Sequence, residues 1–94
     1  MYRKIIIETF HGSYGSSSDA PPARPVPGQG LNTALNVECS GSMRRKYPIG
    51  TRFLISAKLT DREGTKFLYS HYSWGYKVLS TADVEQILSG EMLK

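Results

Sequence analysis

The sequence predicts a mainly β fold with one C-terminal helix, arranged as a small SH3-like or partly closed β-barrel. Three observations predict it. Short β-rich runs alternate with Gly- and Pro-bearing turns, residues 51–61 alternate with a period of two, and a helical signature occurs only near the C-terminus. An OB-like barrel, or an α+β sheet with one packed helix, fits the same pattern. At 94 residues the chain is expected to form a single domain, 1–94. A domain this short buries a smaller fraction of its surface than a large one and often leans on a partner subunit.

Residues 2–10, "YRKIIIETF", hold neither Gly nor Pro, and the triple Ile suits a strand covered on both faces. The next segment, 11–30, has four Gly, four Ser and four Pro, so it is expected to be a long loop with no regular element of more than a few residues. "LNTALNVECS" sets Leu35, Val37 and Cys39 on one side and predicts a strand over 34–40. "GSMRRKYPIG" reads as a turn around a basic triplet. In "TRFLISAKLTD", Phe53, Ile55, Ala57 and Leu59 alternate against Arg52, Leu54, Ser56 and Lys58, which makes 51–61 the clearest strand. "DREGT" supplies a turn in which Gly64 can take positive φ. "KFLYSHY" (66–72) is its hairpin partner, "SWG" a tight connection and "YKVLS" (76–80) a further strand. The helix follows from Ser80, which can cap amides near Asp83, and from Val84, Ile87 and Leu88 on one face, with Gly90 as a stop. Phe53, Ile55, Leu59, Val78, Ile87 and Leu88 are the expected core.

"YPIGTRFLISAKLTDREGTKFLYSHYSWGYKVL" (47–79) resembles a group of small, uncharacterised bacterial proteins of the kind carried on mobile elements such as integron gene cassettes. The shared marks are Tyr-Pro-x-Gly-Thr, Ala-Lys-Leu-Thr-Asp-Arg, Phe-Leu-Tyr-Ser and Trp-x-Tyr, over about a third of the chain. The resemblance implies no activity.

Composition narrows the functional classes. A net charge of +4, from twelve Lys and Arg against eight acids, gives mild attraction to polyanions without establishing it as a function. The single cysteine, Cys39, excludes an internal disulfide within one chain and any Cys-x-x-Cys motif, and fits a reducing cytoplasm. No signal peptide is visible, and no stretch approaches the roughly 20 apolar residues of a membrane helix. The expected location is cytoplasmic, with no membrane partner.

For catalysis the material is thin. Cys39, His11, His71, Asp61 and Glu63 fall at no spacing of a nucleophile elbow, a Cys-His signature or a metal triad, and "GSYGSSSD" lacks the lysine and helix of a phosphate loop. No catalytic residue, metal ligand or cofactor is therefore assigned. A small-molecule or hydrolytic pocket near His71 stays as the weakest reading.

Two features point to binding instead. "HYSWGY" (71–76) crowds rings together, and Tyr69, His71, Tyr72, Trp74 and Tyr76 make up the expected contact surface, for another protein or a second copy in a homo-oligomer. The plainer alternative has the 11–30 segment folding over these rings. Arg44, Arg45 and Lys46, beside rings such as Tyr72 and Trp74, could instead hold the phosphates of a nucleic acid. Their plainer reading is a solvated turn at a sheet edge.

Overall fold

The computed structural model describes residues 3–12 and 20–91, and of residues 62, 72, 90 and 91 the backbone alone. In it the triple isoleucine meets apolar material on both sides. β1 (Arg3–Thr9) buries Ile5, Ile6 and Ile7 completely. Ile5 and Ile7 join one cluster with Phe53, Ile55, Ala57, Val37, Met43 and Leu68. Ile6 points the other way and joins Leu54, Leu79, Val26, Val84 and Ile87. One strand thus links two cores, as a continuous apolar run requires.

The remaining strands are β2 (Ala23–Pro25), β3 (Val37–Glu38), β4 (Arg52–Arg62), β5 (Thr65–Tyr69) and β6 (Tyr76–Leu79). With β1 they form, among the described residues, a six-stranded sheet of order β2-β1-β4-β5-β3, with β6 added on β4. β4 is the organising strand. β1 pairs it antiparallel, with Phe53 facing Ile7 and Ile55 facing Ile5. β6 takes the opposite edge over Arg52–Ile55, and β5 pairs Lys58–Arg62. β3 closes the far side by pairing β5 in parallel. The two ends of the path, β2 and β3, come back into contact, so the sheet curls into a half-barrel. The Phe53 face is the inner one.

The alternation in β4 holds for Phe53, Ile55 and Ala57, all buried. It fails at Leu59, which is 54% exposed because β4 outruns the core into the hairpin. Val78, also expected inside, is 40% exposed because β6 is an edge strand. The expected single core is two: Phe53 and Ile55 lie in the inner one, Ile87 and the partly buried Leu88 in the outer one. β3 is far shorter than 34–40, since a turn consumes the residues before it. There Leu35 N–H donates to Asn32 O at 3.1 Å and Ala34 N–H to Asn32 Oδ1 at 2.9 Å.

Where the sequence predicts a turn, a one-and-a-half-turn helix forms, α1 (Gly41–Lys46). Ser40 Oγ caps it by accepting from Met43 N–H at 3.3 Å, and Met43 anchors it in the inner core. Within 11–30, β2 is a three-residue edge strand in which Pro25 is tolerated because an edge need not donate on both sides. Residues 13–19 of that segment lie outside the described residues. Gln29 continues the edge with its side chain. Its Oε1 accepts from Ile6 N–H at 2.9 Å, and its Nε2 donates to Ile6 O at 2.6 Å and Val26 O at 3.0 Å.

α2 (Thr81–Gln86) starts on the expected capping box, with Asp83 N–H donating to Ser80 Oγ at 3.1 Å and Ser80 N–H to Asp83 Oδ2 at 3.0 Å. Those bonds hold the Asp83 carboxyl below its usual range. The helix widens into a π turn over Ile87–Glu91 and covers the outer face around Leu54. Among the described residues no helix is long and apolar enough to cross a membrane.

The β4–β5 hairpin uses a two-residue turn with both residues left-handed, Glu63 at φ 54° and Gly64 at φ 82°. Glutamate carries a Cβ into a region that suits Asn or Gly better. Glu63→Asn is therefore expected to stabilise the fold by about 1 kcal/mol. Thermal melts check this, and an unchanged or lowered midpoint would count against the strain.

Candidate functional site

The rings near the C-terminal strands divide between the two faces of the sheet. Tyr76 pairs Ile55, which puts it on the inner face, whereas Tyr69 pairs Lys58 on the outer face. The segment between them, 70–75, turns through a 3₁₀ turn at Tyr72–Trp74 and leaves it at Gly75, whose φ of 76° favours glycine.

The inner group is Tyr47, Phe53 and Tyr76. Phe53 meets Tyr47 edge-on at 5.5 Å and Tyr76 at 5.7 Å, and the two tyrosines stand 6.2 Å apart. A hydrogen bond with Tyr47 is the main cause that raises the Tyr76 hydroxyl above its ordinary pKa. Phe53 is fully buried, yet Tyr76 remains 41% exposed.

The outer group is Tyr69, His71 and Trp74. Trp74 lies 5.9 Å from Tyr69 and 6.0 Å from His71, and Tyr69 and His71 are 6.5 Å apart. Trp74 is exposed, while Tyr69 and His71 are half-buried. His71 shapes the turn: Ser73 N–H donates to its Nδ1 at 3.1 Å, and Ser73 Oγ lies 2.7 Å from the same nitrogen. The Tyr72 side chain lies outside the described residues.

Beside Tyr69 opens a shallow groove of about 310 Å³, lined by Glu38, Cys39, Ser40, Tyr69 and Ser70. Ser70 N–H fixes its floor by donating to Glu38 O at 2.9 Å. Burial pushes the Cys39 thiol up, against a smaller opposing pull from Arg44, so at neutral pH it is a protonated, weak nucleophile. Among the described residues no three of His, Cys, Asp and Glu gather closely enough to hold a metal ion.

The basic triplet is divided too. Arg44 folds inward, donating from Nη1 to Pro21 O at 2.8 Å and from Nη2 to Cys39 O at 3.3 Å. It fastens the 20–30 segment to the start of α1. Arg45 and Lys46 are exposed, and Lys46 Nζ sits 5.7 Å above the Tyr47 ring. The basic turn therefore has Tyr47 as its aromatic neighbour.

Sequence reasoning passed over two lysines. Lys58 faces Tyr69 across β4 and β5, and Lys4 faces Ser56 across β1 and β4, all on the outer face. The signal was present, since Lys58 lies on the polar side of the β4 alternation. Its neighbour on β1 required a strand register. Comparison with protein-family models, with curated proteins and with solved structures finds no match to this chain.

Proposed function

We propose that the protein is a non-enzymatic binding and assembly module that joins a second copy of itself through β6. One observation carries this reading: the half-barrel is left open where apolar groups point inward. β6 pairs only β4 among the described residues, and its inward-facing Tyr76 and Val78 stay 41% and 40% exposed. β1 is covered by β2 and the Gln29 amide and β5 by β3, while the short end strands β2 and β3 lie against each other. An edge that is both unpaired and apolar accepts another strand.

The residues of β6 choose the register. A two-fold axis at Val78 sets Val78 against its copy, Tyr76 against the partner's Ser80 and Lys77 against the partner's Leu79. An axis at Lys77 would bring two lysines face to face, which costs free energy. The unpaired Cys39 suits the reducing cytoplasm in which we place this assembly.

Light scattering across a concentration series tests the proposal. The native chain is expected to dimerise, and Val78→Lys to weaken the dimer at least tenfold while leaving the monomer folded. A native chain that stays monomeric at every concentration, or a Val78→Lys dimer of native affinity, would refute it.

A further inference from the structure

A second surface lies on the opposite face of the sheet. Beyond the part of that face covered by α2, the register sets Lys4, Ser56, Lys58 and Tyr69 side by side. Lys4 and Lys58 are exposed and have no acidic partner among the described residues. Diagonal neighbours on one sheet face stand about 7–8 Å apart, close to the spacing of successive phosphates on a single strand. Next across the face come the rings of Tyr69 and Trp74, 5.9 Å apart, held by the His71–Ser73 turn. On the far side of Tyr69 is the groove of about 310 Å³, whose polar lining is Glu38, Ser40 and Ser70.

Cations, then rings, then a polar slot is the order in which a nucleotide presents phosphate, base plane and base edge. We propose that this face binds single-stranded nucleic acid, with phosphates on Lys4 and Lys58, a base stacked on Tyr69 and Trp74, and the edge of that base in the Glu38 groove. The single strand follows from the chemistry of the face. A duplex hides its base planes, so the rings would have nothing to stack on, while an acidic peptide would meet the lysines and then the Glu38 carboxylate with no use for the rings. Glu38 lies on the side away from the lysines, where a base can offer it an amine and a phosphate need not approach. This inference is independent of β6, whose Tyr76 and Val78 face inward.

The chain has one tryptophan, so its fluorescence reports on this face alone. The probes are a mixed-sequence single-stranded DNA 12-mer, the same 12-mer as a duplex, and poly-glutamate. The single strand is expected to quench Trp74 and to bind with a log–log salt slope of about −1.4, the value for two phosphates on a single strand. Lys4→Ala with Lys58→Ala should flatten that slope toward zero and weaken binding. Tyr69→Ala should weaken binding about tenfold with the slope unchanged, and Arg45→Ala with Lys46→Ala should change neither. Circular dichroism confirms that each variant is folded. No quenching by the single strand, equal binding of duplex or poly-glutamate, or an unchanged slope in the double lysine variant would overturn the proposal.

Discussion

Phe53→Ala should destabilise the protein by about 3–5 kcal/mol, the largest loss expected of a single side chain here. Phe53 is fully buried at the middle of the inner core. It lies opposite Ile7 on one side and Val78 on the other, so its removal loosens β1 and β6 together. Two tyrosines also lose the ring they stand against edge-on, Tyr47 at 5.5 Å and Tyr76 at 5.7 Å. Small domains have about 5–15 kcal/mol in total, so the variant should unfold far earlier in urea. A loss below about 1 kcal/mol would mean that Phe53 is not the centre of the core.

Gln29→Leu should cost about 2–4 kcal/mol although it places a more apolar residue at a buried site. The Gln29 side chain is 7% exposed and acts as the missing piece of an edge strand, serving Ile6 N–H, Ile6 O and Val26 O at once. Leucine fills a similar volume but forms none of these bonds. Ile6 O keeps Val26 N–H as a donor at 3.1 Å, whereas Ile6 N–H and Val26 O are left buried without those partners. Each such group costs about 1–3 kcal/mol. Urea denaturation measures the loss, and the Ile6 amide should exchange with solvent much faster than in the native chain. A neutral substitution would show that the amide bonds add nothing net.

Elements whose apolar pattern is long and repetitive were legible in the sequence. The Ile5–Ile6–Ile7 run showed a doubly covered strand, Phe53 to Ala57 the inner face of β4, and Ser80 with Asp83 the start of α2. α1 was invisible because its register shows one buried residue, Met43, and no period can be read from a single point. Gln29 looked like loop because its role depends on Ile6, 23 residues away, and on no local propensity. The rings of 71–76 were visible as a cluster, but their division between two faces was not. Strand parity assigns faces only while a strand runs unbroken, and the turn at Tyr72–Trp74 breaks the count between Tyr69 and Tyr76. Arg44 misled for another reason. Charge suggests solvent, yet its guanidinium is taken up by the carbonyls of Pro21 and Cys39.

That interruption gives the molecule room to vary. β5 ends its pairing at Lys58 and β6 begins at Ile55, so only Ser56 and Ala57 of β4 lie between positions that residues 70–75 must bridge. The bridging segment has slack. The hairpin at Glu63–Gly64 fixes the register of β5, and the Ser80 cap with α2 fixes that of β6, each without reference to what lies between. Substitutions at 71–74 are therefore expected to leave the ladder on β4 in register. The ladder and the rings at 71–74 thus rest on separate parts of the chain.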